Sequence, residues 1–238
     1  MIVIEETLRR HLTHLGYQTF VALIAIVGLA ASRFDRPGSM WPPLMVLQAV
    51  IAGAGAIGPE FSSGTLQLIL VKPINRAVYL LARVAGIVAA VLVGGLAGLF
   101  CEVVGRLLWS GGRGIAVAAT AFANTALECL LICAMLVLFG SLTRAYFNVA
   151  IYFAIEVGIS IFGGILAMTR ASRGSLGRFL EAHEGLERAL PVITANLFPD
   201  APPRFDAGWT LLVLSNAAIA LVLACLAFRR REVPYGAD

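Results

Sequence analysis

The sequence predicts an all-α integral membrane protein with six transmembrane helices and an interfacial helix at its N-terminus. Three observations carry this expectation. Of 238 residues, 59% are hydrophobic and only 13% are charged, whereas soluble domains carry roughly 25% charged residues. Mean hydropathy is +0.87. The apolar residues also fall into runs approaching the ~20 residues that cross a bilayer at 1.5 Å rise each.

Taken in order, residues 1–16 place Ile4, Leu8, Leu12 and Leu15 on one stripe, with Glu5, Glu6, Arg9, Arg10 and His14 mostly off it. That period describes a helix lying in the membrane surface. The spans then fall at 17–32, 41–58, 78–109, 115–142, 146–168 and 209–228. Arg9 and Arg10 before an apolar run loosely fit a cleaved leader, but Glu5 and Glu6 acidify that region, so an uncleaved first span is the reading. The first two spans are short and the third is long, which calls for tilt or extension past the bilayer. Trp41, Trp109, Tyr146 and Trp209 sit near span ends, where amphipathic rings prefer the interface.

Residues 169–208 form a long segment before the last span. Within it, Leu176, Phe179, Leu180, His183, Leu186 and Leu190 recur at helical spacing, and Pro191 stops the pattern. This is an outer segment that packs on the membrane surface, re-enters it, or caps the spans. There is no tandem repeat and no separate soluble domain; residues 1–238 read as one transmembrane domain.

The formal charge is +4, and of 18 Lys and Arg residues only Lys72 is lysine. These cations fall at the ends of apolar runs, which suits headgroup anchoring and topology rather than nucleic-acid binding. With Arg9, Arg10, Lys72, Arg76, Arg83, Arg144 and Arg229–Arg231 inside, the short outer loops keep only Arg33, Arg36, Arg106 and Arg113. The 169–208 segment adds five more Arg outside and equalises the totals, but long loops count for less and several of these are balanced by Glu and Asp. Both termini are therefore expected in the cytoplasm, in an inner (plasma) membrane.

The catalytic motifs that would make this chain an enzyme are absent. The lone lysine, Lys72, sits between Val71 and Pro73, outside any phosphate-binding Gly-x-x-x-x-Gly-Lys pattern. No His-Glu-x-x-His and no Gly-x-Ser-x-Gly occurs. Cys129 and Cys133 would share a helix face, but no His lies nearby, so they read as small buried hydrophobes and no metal is expected.

Three carboxylates lie within spans, where ionised groups are costly and usually face the bundle interior or water. Glu102 has Arg106 one turn on, and an i, i+4 pair accounts for it. Glu128 and Glu156 lie deeper. With Asn124 one turn before Glu128, they form either a candidate substrate path or a structural hydrogen-bonded set. Gly94-x-x-x-Gly98 permits close helix approach, within the chain or at a dimer seam.

One polar stretch has an order that solubility alone does not require: Gly58-Pro-Glu60-Phe-Ser-Ser-Gly64-Thr65-Leu66, then Leu70-Val-Lys72-Pro73-Ile-Asn-Arg76. Ser62 or Ser63 can cap a short helix, Lys72-Pro73 breaks it, and Arg76 leads into the third span. Residues 59–77 thus describe a small amphipathic element tied to two spans. At Glu60, Gly64, Thr65, Leu66, Pro73 and Arg76 the chain resembles the permease subunits of ABC type-2 exporters, which carry Glu-x-x-x-Gly-Thr-Leu and then Leu, Pro and Arg between their second and third spans. Gln67 stands where that family often has an acidic residue, and Arg83 where it commonly has lysine.

The resemblance implies an ABC type-2 exporter-like fold in which 59–77 is a cytoplasmic coupling element. It implies a homodimer or heterodimer of permease copies, surrounded by lipid and bound to separate ATP-binding-cassette ATPase subunits that hold ATP and Mg. In that scheme Glu60 anchors the element, Gly64 and Thr65 supply turn and cap, Leu66 and Leu70 dock, and Pro73 and Arg76 close it. The function expected is export of a substrate powered by the companion ATPase. The alternative is an ion-coupled secondary carrier using Glu128 and Glu156, although carriers often show inverted repeats.

Overall fold

The computed structural model describes residues 2–33, 38, 40–54, 56, 75–143, 146–171, 202 and 204–230. Among these the chain is all-helical: α1 Ile2–Thr13, α2 Leu15–Ala31, α3 Pro42–Ala54, α4 Arg76–Ser110, α5 Ile115–Leu142, α6 Phe147–Ala171 and α7 Ala207–Arg230. Two compact units are present, one of residues 1–149 and 201–238, the other of 150–200.

In the first unit, α4, α5 and α7 are long and apolar enough to cross a membrane, and α1 with α2 make a fourth if that bent pair is counted as one span. The expected first span, 17–32, falls on α2 and its C-cap Ser32, but α1 breaks away from it at 74°. The break is built locally: His14 is extended and its Nδ1 accepts from Gly16 N–H at 3.2 Å, capping α2. The expected stripe on α1 needs one correction. Leu15 begins α2 and is 73% exposed, while the buried contact of α1 is Thr7.

Helix α3 covers only part of the expected 41–58 span. Its 13 residues reach about 20 Å. Its buried face, Met45, Gln48, Ala49, Ala52 and Gly53, follows the i, i+3, i+4, i+7 spacing of a core-facing helix. Helix α6, expected as a span over 146–168, passes from the first unit into the second, and its stretch Phe147–Gly158 is a shorter apolar helix.

Helix α4 is the spine of the first unit. Asn75 caps its start by accepting from Ala77 N–H at 3.0 Å, and left-handed Gly111 ends it after 35 residues, about 52 Å of helix. The turn 111–114 uses positive φ at Gly111, Gly112 and Gly114, which sends α5 back beside α4. Along α4, glycines face the chain's own helices. A Cβ on Gly28 of α2 would stand 2.2 Å from Gly98 O, so α2 and α4 meet backbone to backbone. Gly94 lies under the Gln48 amide, and Gly98 under Ile24 and Trp41. The Gly94/Gly98 pair is therefore filled from within the chain.

Against α5, α7 packs Val213, Ala217 and Ala220 on Leu131 and Ala134. The small residues allow the close approach. Asp206 caps α7 through Gly208 N–H at 2.8 Å, and Arg229 and Arg230 close its last turn, where cations suit the helix dipole.

Candidate functional site

Of the expected coupling residues, Glu60, Gly64, Thr65, Leu66, Leu70 and Pro73 lie outside the described residues, and Arg76 is the first residue of α4. The chain on either side of that stretch is described, and the two sides converge on one guanidinium. Arg83, two turns into α4 and 8% exposed, donates through Nε to Ala56 O at 3.1 Å and through Nη1 to Thr7 Oγ1 at 2.9 Å. Thr7 in turn donates to Val3 O at 2.7 Å. Gly86, one turn further along α4, makes room for Thr7: a Cβ there would lie 2.7 Å from Thr7 Cβ and 3.2 Å from Ile4 O.

The physical cause is the end of α3. The last carbonyls of a helix have no intrahelical donor, and beside apolar helices no water replaces one. Arg83 reaches the carbonyl of Ala56, just past the end of α3, while Asn148 Nδ2, at the start of α6, donates to Gly53 O at 3.3 Å and to Leu136 O at 3.2 Å. Tyr17 adds a bond from its hydroxyl to Ala90 O at 2.6 Å, joining the start of α2 to α4. The His11 ring lies 6.3 Å from that of Tyr17. Burial, then the neighbouring charge of Arg83, then Arg10 and His14, holds the His11 pKa below its ordinary value.

A second polar cluster sits at the far end of α4. Glu102 is fully buried. Its Oε1 accepts from Arg106 Nε at 2.8 Å and from Gly38 N–H at 3.0 Å, and its Oε2 accepts from Trp41 Nε1 at 2.7 Å. Arg106 also reaches Ala31 O at 3.3 Å and Arg113 O at 3.4 Å. The i, i+4 pair expected from sequence is present, and it anchors the ends of α2 and α3 as well. Trp41 is thus buried in the bundle, whereas Trp109 and Tyr146 are exposed. Nineteen residues separate Arg83 from Glu102, about 28 Å along the helix, which matches the ~30 Å hydrocarbon thickness of a bilayer.

Of the candidate path residues, Asn124 and Glu128 lie in the first unit and Glu156 in the second. Asn124 is buried on α5, and its Nδ2 donates to Pro202 O at 2.8 Å, fastening the approach to α7. Glu128, one turn on, is half-buried, and Glu156 is half-buried in the second unit. Cys129 and Cys133 are buried and unbridged. Among the described residues no three His, Cys, Asp or Glu side chains converge as metal ligands.

Sequence reasoning missed Thr7 and the branching of the Arg83 node. The available signal was a charged residue eight positions into an apolar helix, which in a membrane demands a partner. No protein-family model and no curated protein matches this chain.

Proposed function

We propose that this chain is the membrane-spanning subunit of an ATP-driven exporter, with 59–77 as the cytoplasmic element on which a separate ATP-binding-cassette ATPase presses. The observation that carries the reading is the continuity of α4. The stretch bearing Glu60, Gly64, Thr65, Leu66, Leu70 and Pro73 runs directly into Asn75 and Arg76, the cap and first turn of one uninterrupted 35-residue helix. A push on that stretch acts on the start of a helix that reaches the far polar cluster. The base of the stretch is also held on its other side, because Arg83 grips Ala56 O.

In this proposal each copy crosses the membrane six times, at the segments 17–32, 41–58, 78–109, 115–142, 146–168 and 209–228. Two copies pair, both termini face the cytoplasm of a plasma membrane, and ATP and Mg bind the companion subunit. Glu128, Glu156 and Asn124 are the candidates for contact with the cargo.

The test is reconstitution with the companion ATPase. Glu60→Ala and Gly64→Pro are expected to uncouple ATP turnover from transport while the helices still insert. Full coupled activity in both variants would refute the role of 59–77. Transport by the chain alone, abolished by Glu128→Gln or Glu156→Gln, would establish the ion-coupled carrier instead.

A further inference from the structure

We infer that Thr7 and Arg83 are positioning residues that make the N-terminal helix α1 a second moving part of the transmission, driven together with α4. The inference rests on the ATP-driven reading above, and it identifies what the pressed element moves besides its own two helices.

The geometry is a three-way junction. One buried guanidinium donates to Ala56 O at the root of the 57–74 stretch, to Thr7 Oγ1 on α1, and is itself carried by α4. Arginine suits this junction because Nε and Nη1 diverge at fixed angles, so moving one acceptor reorients the donor to the other. Thr7 is 1% exposed, and its hydroxyl is both acceptor from Arg83 and donor to Val3 O, so it cannot relax to water. At Gly86 the Thr7 side chain packs directly on the backbone of α4, where an added Cβ would stand 2.7 Å from Thr7 Cβ. That close packing transmits displacement in both directions, because compact contacts resist compression. Helix α1 meets α2 at a 74° break at His14, across which Gln18 Nε2 donates to Leu12 O at 2.9 Å, so α1 is a separate rigid piece set against α4.

The experiment uses the full complex with its ATPase in nanodiscs, spin-labelled at exposed Thr13 on α1 or exposed Val78 on α4, each against a reference label at Val117. Distances are compared between nucleotide-free and ATP-bound states. Both labels are expected to shift in the otherwise native chain. In Thr7→Val, which removes the acceptor, and in Gly86→Ala, which wedges α1 off α4, the Val78 shift is expected to persist and the Thr13 shift to be lost. Thr7→Ser keeps the hydroxyl and is expected to restore the Thr13 shift. An undiminished Thr13 shift in both Thr7→Val and Gly86→Ala would overturn the inference, as would loss of the shift in Thr7→Ser equal to that in Thr7→Val. Absence of any nucleotide-dependent shift at Val78 in the native chain would instead refute the ATP-driven reading on which it rests.

Discussion

Replacing Glu102 by Gln removes the carboxylate charge with which Arg106, 4% exposed, pairs at 2.8 Å. The amide oxygen can still accept from one of Gly38 N–H and Trp41 Nε1, but its NH2 faces a donor on the other side. Breaking a buried pair by removing one partner costs about 3–5 kcal/mol, because the remaining charge stays desolvated. An orphaned buried donor adds about 1–3 kcal/mol. Arg106 keeps other partners, among them Ala31 O and Arg113 O, so Glu102→Gln is expected to lower unfolding free energy by about 4 kcal/mol, the low end of the two costs together. The double variant Glu102→Gln/Arg106→Met should recover much of that loss, since the guanidinium no longer needs a counter-ion. The assay is denaturant unfolding in mixed detergent micelles, read by Trp fluorescence, with both single variants and the double variant forming a cycle. Equal stability of Glu102→Gln and the native chain, or strict additivity of the two single variants, would refute the reasoning.

Three further outcomes follow from the packing. The lowered pKa of His11 means that the docked state of α1 prefers neutral imidazole; its attachment is complete above the ordinary value of 6.5 and weakens as pH falls below it through the lowered value. A spin label at Thr13 should therefore gain mobility on acidification, and His11→Gln should flatten that response. Gly28→Val forces side-chain atoms against Gly98 O, where even a Cβ would stand at 2.2 Å; a loss of about 1–3 kcal/mol is expected by detergent unfolding. Gln48 is buried on α3 with neither amide atom in a close hydrogen bond, the Tyr17 hydroxyl being a polar neighbour, so Gln48→Met should retain the fold and raise stability by about 1 kcal/mol. A drop in stability would show that the amide has a partner in the membrane.

The helices were legible because membrane-spanning runs announce themselves by composition, and the 78–109 expectation differs from α4 by only two residues at its start and one at its end. The break at His14 was legible only as a change of pattern, since the cap depends on a side chain turning back to Gly16. Leu15 was misassigned because a helical stripe drawn through 1–16 cannot register that break. The Glu102–Arg106 pair could be read from i, i+4 spacing. Its partners Trp41, Gly38 and Ala31 could not, because they lie 61 to 75 residues away in sequence and are brought together only by packing. Arg83 presents the same difficulty: its charge within an apolar run demanded partners, but nothing local named Thr7, 76 residues distant. The coupling residues were read from their order alone, and from Glu60 to Pro73 they lie outside the described residues.

A photoreactive amino acid placed at Gln67 in native membranes asks which protein touches the middle of the 59–77 element. The exporter reading predicts capture of a nucleotide-binding ATPase, with no labelling of that position by an impermeant reagent added from outside the cell. Labelling from outside, or transport that proceeds with no nucleotide-binding protein captured, would contradict it.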